Sequence, residues 1–354
     1  MTTTAATRPT KADTPAPATS PPRPLLTRLR LWLRLWTLKL TIRTLLSTVR
    51  FFKIKGYGTL QPTYRKIYPI GARLTNEVWI PSSWKPGQSL PLYIDIHGGG
   101  FALGDPFHDD GWCNYLAEKQ NICVVSCDYR KSPGYYFPTQ TNDLVEIITS
   151  ILADPTLPVD KSKICIGGFS AGGNLSLSVV QDKQLQGKIK GLCLWYPSTD
   201  FSGKYKGIMR DGPDGSPDVL AKSGELFTYG YVPHGVSTTN PLLSPIYADR
   251  SILPEKMLFI GAEYDVLCNE ALEAAKLFAA AEQAERVSGN AEEDERQGVE
   301  SWRKGGVWWE MVKGAQHGFN YIRKKEVEAE RERERITEMA YDRAAAWLKR
   351  EIYA

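Results

Sequence analysis

The chain has 354 residues and a mass of 39.6 kDa, with 42% hydrophobic, 11% aromatic and 24% charged residues. That composition excludes a disordered chain, a collagen and a disulfide-stapled miniature, and suits one large α/β domain or two ordinary ones. The net charge of +4 conceals a split: residues 1–76 hold 14 Lys/Arg against one acid (Asp13), whereas the remainder holds 30 Lys/Arg against 39 Asp/Glu. A basic arm on an acidic body is suited to an anionic surface, a membrane or a nucleic acid.

The chain opens with a Thr-, Ala- and Pro-rich stretch, residues 1–24, which is too poor in apolar side chains to order itself and is expected to be disordered. Residues 25–55 (LLTRLRLWLRLWTLKLTIRTLLSTVRFFKIK) contain neither Gly nor Pro and are helix-compatible. Arg28, Arg30 and Arg34 interrupt any long apolar run, so neither a transmembrane span nor a secretory signal is expected. Three readings remain for this arm, taken as residues 25–62. It could be a helix at a membrane surface, a cap helix packed on the body, or, less favoured, a mitochondrial-type presequence. The cations change sides along the helix, from Arg30 and Arg34 to Lys39, Arg43 and Arg50, which predicts two shorter helices or a break. Its Leu and Trp content favours lipid over phosphate backbones, and no nucleic-acid partner is expected.

From residue 63 the pattern becomes strands alternating with helices. Apolar runs predict strands at Glu77–Ile80, Leu92–Ile96, Ile122–Cys127, Ile164–Ile166, Ile189–Trp195, Met257–Ile260 and Val307–Val312. Helices are predicted at Trp112–Gln120, Asp143–Leu152, Ala171–Gln184 and Asn269–Ala284, with a long charged one over Lys324–Glu351. This alternation predicts an α/β fold with a mostly parallel sheet and a site at the carboxyl ends of its strands. Residues 199–250, with one helix at Asp218–Tyr231, are too long for a plain loop and are expected to form a cap insertion. Residues 285–306 are expected to be a polar surface insertion. The six cysteines form no C-x-x-C pair; several lie in apolar runs, so a reducing compartment and no metal site are expected. The expected location is intracellular, cytoplasmic or membrane-associated.

Four segments carry chemistry. Gly168-Phe169-Ser170-Ala171-Gly172 lies between a strand and a helix, where small residues allow a sharp turn that exposes the Ser170 hydroxyl. His97-Gly98-Gly99-Gly100 follows a strand, and glycines there present backbone N–H groups suited to a developing oxyanion. His97 precedes the turn and is expected to support the loop rather than act as a base. Asp265 follows the strand Met257–Ile260, with Glu263 as the runner-up acid, and could equally cap the next helix. His317 lies in a strand-end loop, whereas His108 and His234 have no comparable context.

Taken together, these segments resemble the hormone-sensitive-lipase-like branch of the α/β-hydrolases, which includes bacterial esterases, arylacetamide deacetylases and fungal esterases. The resemblance rests on His97–Gly100, on Gly168–Gly172 and on Asp128-Tyr129-Arg130-Lys131-Ser132-Pro133 with Phe137-Pro138 and Asp143. It also rests on Asp265-Val266-Leu267 with Asn269-Glu270, and on His317-Gly318-Phe319. Phe169 and Gly134 depart from the branch, which often has Asp and Glu there, and the arm and the 285–306 insertion are extra. The resemblance implies an α/β-hydrolase fold over 63–354 with a helical cap, and a Ser170–His317–Asp265 triad. It implies an oxyanion hole drawn from Gly98, Gly99, Gly100 and Ala171, above all the N–H groups of Gly99, Gly100 and Ala171. The implied activity is cofactor-free hydrolysis of apolar carboxylic esters, with amide or carbamate cleavage and acyl transfer as alternatives on the same triad. A non-catalytic small-molecule receptor is disfavoured because His317 is present in context. Phe201, Tyr205, Phe227, Tyr229 and Tyr231 are candidates either to line an acyl pocket or to pack the cap.

Overall fold

A computed structural model describes residues 22–51, 60–281 and 299–354. Nine strands form one sheet: β1 (Tyr64–Lys66), β2 (Asn76–Trp79), β3 (Leu90–Ile96), β4 (Cys123–Cys127), β5 (Val159–Phe169), β6 (Gly191–Trp195), β7 (Lys256–Ala262), β8 (Val299–Lys304) and β9 (Val307–Val312). Their spatial order is β1-β2-β4-β3-β5-β6-β7-β9-β8. The six strands from β4 to β9 in that order pair in parallel, and β1, β2 and β8 add antiparallel edges.

The helices are α1 (Leu25–Phe51), α2 (Asp110–Asn114), α3 (Thr139–Ala153), α4 (Ala171–Val179), α5 (Leu220–Tyr231), α6 (Cys268–Ala280) and α7 (Val327–Trp347). Alternate residues of each central strand enter opposite cores. Leu92, Ile94, Leu192, Leu194, Met257 and Phe259 pack with α3, α4 and α6. Tyr93, Cys193, Trp195, Leu258 and Ile260 pack with Trp112 of α2 and with Tyr341, Ala344 and Trp347 of α7. Burial on both faces is why these strands read as unbroken apolar runs rather than as alternation.

Three expectations are corrected. The helix α1 is one uninterrupted element, not two: it has no Gly or Pro to break it. Arg23, within the stretch expected to be disordered, is ordered and forms an ion pair with Glu225 at 2.6 Å. The last third of the 285–306 insertion is strand β8, hydrogen-bonded to β9 from Val299↔Val312 to Lys304↔Val307. Residues 1–21, residues 52–59 of the arm and residues 285–298 of the insertion lie outside the described residues. All six cysteines are free and buried. Among the described residues no helix is long and apolar enough to cross a membrane.

Candidate active site

Four strand ends converge. His97 directly follows β3, Ser170 directly follows β5, Asp265 lies three residues past β7 and His317 five past β9. In a parallel sheet those ends share one edge, where chain reversals leave a crevice.

The turn at Ser170 is strained: its φ is 56° and its ψ is −114°, a region that side-chain-bearing residues seldom occupy. The Ser170 amide donates to Trp195 O at 2.8 Å, and the Ser170 carbonyl accepts from Asn174 N at 3.1 Å, so both flanks of the turn are tied down. A Cβ at Gly172 would lie 1.8 Å from Ile96 O, which no side chain permits. Phe169, in place of the branch's frequent Asp, is buried and stacks on Trp195 with ring centroids 5.2 Å apart. Apolar packing therefore supports this side of the elbow.

His317 and Asp265 meet directly: the imidazole Nδ1 and Asp265 Oδ2 are 2.7 Å apart. A carboxylate only accepts, so Nδ1 carries the proton and Nε2 is left to act as a base. The second oxygen, Asp265 Oδ1, accepts from Leu267 N at 2.8 Å just ahead of α6. Asp265 thus fills both roles open to it in sequence, holding the turn before the helix and orienting His317. Glu263 is used otherwise, accepting from Gly314 N at 2.8 Å and so fixing the loop that carries His317.

Burial alone would lower the His317 pKa, but the charge and hydrogen bond of Asp265 outweigh it, and with Asp218 they hold the imidazole above its ordinary value. Ser170, Asp265 and His317 are 7%, 4% and 5% exposed, so the site is covered. Tyr196 packs edge-on against the His317 ring at 4.8 Å. Tyr196 itself has a φ of 34°, and the residue before it, Trp195, holds the Ser170 amide through its carbonyl.

In the glycine loop, Gly99 has a φ of 109°, and a Cβ there would meet Leu103 O at 2.4 Å. Gly98 stands apart from its two neighbours. Its carbonyl accepts from His97 Nδ1 at 2.7 Å. His97 is fully buried and stacks on Tyr129 at 4.5 Å. Burial, reinforced by the Lys131 ammonium, brings its pKa down to about 4, so the ring is neutral and acts as a brace.

The cap roofs this loop. A Cβ on Gly100 would fall 2.3 Å from the Phe227 ring of α5. Phe101 stacks on Tyr231 at 3.7 Å, and Phe201 is tilted against both rings at 6.0 Å. Phe227 and Phe201 thus stand over the glycine loop, while Tyr231 stacks beneath them on Phe101. Tyr229 points away, its hydroxyl donating to Arg28 O of α1 at 2.8 Å, and the carbonyl of Tyr205 accepts from Asn269 Nδ2 at 2.9 Å. A separate cleft lined by Pro213, Phe319, Ile322 and Ile336 reaches His317 but none of Ser170 and Gly98–Gly100.

Three residues near the site were given no role by the sequence reading. Asp218 Oδ2 accepts from Val266 N at 2.9 Å and adds negative charge toward His317; its place at the start of α5 was the available signal. Glu270 is buried and accepts from Thr199 N at 2.8 Å, tying the start of the cap segment to α6, and its carboxyl is pushed up to about 8, chiefly by burial. Tyr196 carried no local signal.

Comparison with known proteins agrees with this architecture. A family model described as alpha/beta hydrolase fold matches residues 93–292, a stretch that includes Ser170 and Asp265 but stops short of His317. Neutral cholesterol ester hydrolase 1 of Pongo abelii is 39% identical over 124 residues, covering 32% of this chain and 30% of that protein. Esterase LipI of Mycobacterium tuberculosis is 30% identical over 221 residues, covering 60% of this chain and 66% of that protein. The matched stretches thus span from under a third to about two thirds of these relatives' own lengths. The crystal structure of EstE1, a thermostable carboxylesterase from a metagenomic library, superposes with a TM-score of 0.66 at 25% identity, covering 88% of this chain and 96% of that one. A match over more than half its length, on a sheet with the same strand-end logic, means that the chain belongs to the alpha/beta hydrolase fold family, in its hormone-sensitive-lipase-like branch.

Proposed function

We propose that this chain is a serine carboxylic-ester hydrolase acting on small to medium apolar acyl esters. The observation that carries the reading is the 2.7 Å contact from His317 Nδ1 to Asp265 Oδ2, which leaves Nε2 as a base at the strand ends that also hold the Ser170 turn. Ester hydrolase and esterase are also the printed names of the relatives.

In this mechanism His317 Nε2 takes the proton of Ser170 Oγ as the oxygen attacks the ester carbonyl. The carbonyl π electrons move to oxygen, and the N–H groups of Gly99, Gly100 and Ala171 hold the anion. Each such donor is worth about 3–4 kcal/mol of barrier. Collapse expels the alcohol, which receives the proton from His317. Water then attacks the acyl-enzyme by the same route and releases the acid. Asp265 stabilises the transient imidazolium throughout. The Phe227 and Phe201 rings limit the room above the oxyanion loop, which favours compact apolar acyl groups.

The test is hydrolysis of p-nitrophenyl esters from acetate to palmitate by the protein and by Ser170→Ala. Turnover on the shorter esters that disappears in the variant is expected. Equal rates for the two proteins across the series would refute the reading.

A further inference from the structure

The helix α1 has two apolar faces. Leu31 and Leu35 are buried, and with Leu38 they pack on Leu226, Phe227 and Tyr229 of α5 and on Ala102 and Leu103 of the oxyanion loop. Nearly opposite, Leu25, Leu26, Leu29, Trp32, Leu33 and Leu40 stand 42–80% exposed. At about 100° per residue these six fall within an arc of roughly 120°. Arg30 and Arg34 lie along one margin of that arc and Arg28 and Lys39 along the other; Arg43, a turn beyond Leu40, falls inside it. The helix carries six cations (Arg28, Arg30, Arg34, Lys39, Arg43, Arg50) and no acid. Exposed apolar side chains on a helix with this charge are matched to one kind of surface, apolar inside and anionic at its rim. A globular partner would have to supply a groove carrying both properties, whereas an acidic lipid bilayer supplies them along its whole plane.

We infer that the outer face of α1 docks this protein on an anionic membrane, with the roof of the active site held against the docked helix, so that its substrates are esters dissolved in the bilayer. The substrate part rests on the proposed hydrolase activity; the docking part does not. The inner face couples the two. A Cβ on Gly230 of α5 would fall 2.4 Å from Leu35 Cδ2, so the helices are in close contact. Lys39 Nζ donates to Ser132 O at 2.8 Å, and Ser132 N donates to Phe101 O at 2.9 Å, which ties α1 to the loop beside Gly100. One helix diameter, about 10 Å, therefore separates the docked face from the roof over the glycines.

Flotation of the full chain with phosphatidylcholine vesicles, with and without phosphatidylserine, tests this. The comparison variants are Leu29→Glu/Leu33→Glu on the outer face and Ser170→Ala. The wild type and Ser170→Ala are expected to float with the acidic vesicles and to be released by salt. The outer-face variant should lose at least about tenfold in bound fraction. It should hydrolyse p-nitrophenyl acetate in solution at the wild-type rate, which shows that it is folded, and lose rate only on the acetate ester of a long-chain alcohol embedded in vesicles. Wild-type protein that stays in the supernatant while cleaving soluble esters would overturn the inference and leave the hydrolase reading intact. Protein that floats but cleaves no ester would do the reverse. Equal flotation of the outer-face variant, or a wild-type dimer that the variant abolishes, would also overturn it, the second by showing that another copy covers the face.

Discussion

Replacing Asp265 by Asn tests the centre of the site with the smallest change in shape. The amide oxygen can keep the contact to Leu267 N, now 2.8 Å, so the turn before α6 should survive. The amide NH2 would then face His317 Nδ1, where the carboxylate now sits at 2.7 Å. An NH2 group donates, so the ring must present a lone pair at Nδ1 and carry its proton on Nε2, where it can no longer take one from Ser170. The charge effect adds to this. With charge centres about 4 Å apart and an effective dielectric constant near 20, the carboxylate favours the imidazolium by about 4 kcal/mol, or about 10³ in rate. Together the two effects predict a fall in kcat/KM of about 10³–10⁴-fold at neutral pH. The pH profile carries a second signature. In the wild type, activity falls as pH drops through a His317 pKa held above its ordinary value. In Asp265→Asn the burial that lowers that pKa remains while its main opponent is gone, so the acid limb must move to lower pH. Steady-state kinetics on p-nitrophenyl acetate from pH 5 to 9, with a thermal melt for each variant, measures both. Glu263→Gln, whose native carboxylate holds Gly314 N rather than His317, should lose less than about tenfold by comparison. A folded Asp265→Asn within tenfold of wild type and with an unmoved acid limb would refute the assignment.

Other changes follow from the same geometry. Gly100→Ala places a methyl against Phe227 at a φ of 59°, and should cost about 10² or more in kcat/KM; Gly100→Ala/Phe227→Ala should recover part of that loss, and a double mutant no better than the single would show that the lid contact is immaterial. Glu270→Gln keeps an acceptor for Thr199 N but removes a buried carboxyl whose pKa is raised to about 8. Ionising that carboxyl costs the folded state more as pH climbs from about 4.5 toward 8, so the variant's melting temperature should gain on the wild type across that window; a gap that does not change with pH contradicts this. Arg130→Ala leaves the buried Asp143 carboxylate without its 2.6 Å partner, retaining only Arg130 N at 3.0 Å. A melt should show a loss of about 1–3 kcal/mol, with kcat per folded molecule nearly unchanged.

The parallel core was legible because its strands are apolar on both faces and bounded by turns, so composition alone marked them. The edges were not. β1 has three residues, and β8 (Val299–Lys304) is a polar edge strand whose charges suggested a loop. The Gly305-Gly306 pair between it and β9 was the overlooked signal, a two-residue hairpin turn between strands. In the site, each motif announced itself as local punctuation: a glycine run, a Gly-flanked Ser, an acid or a His after a strand. What no local pattern contains is which acid meets which base across 52 residues. Glu263 and Asp265 lie two apart on the same turn, and only the fold directs one to Gly314 and the other to His317.

The helix α1 shows a different limit of pattern reading. A helix with one apolar face has a strong periodic signal, but a second apolar face opposite the first cancels it, and the remaining cations then look misplaced. Here Leu31 and Leu35 face α5 while Leu29, Trp32 and Leu33 face outward. Arg30 and Arg34 are therefore not on a wrong side; they occupy the boundary between the two faces. The same arithmetic explains why the arm could be read both as cap and as surface helix: those are the two faces of one element. Truncating Leu35 to Ala should separate them. It would remove a fully buried side chain at the α5 contact, with a local cost of about 2–4 kcal/mol. Amide exchange in α5 should then rise while the outer face keeps its composition. If exchange in α5 is unchanged, α1 rests on the lid without bracing it.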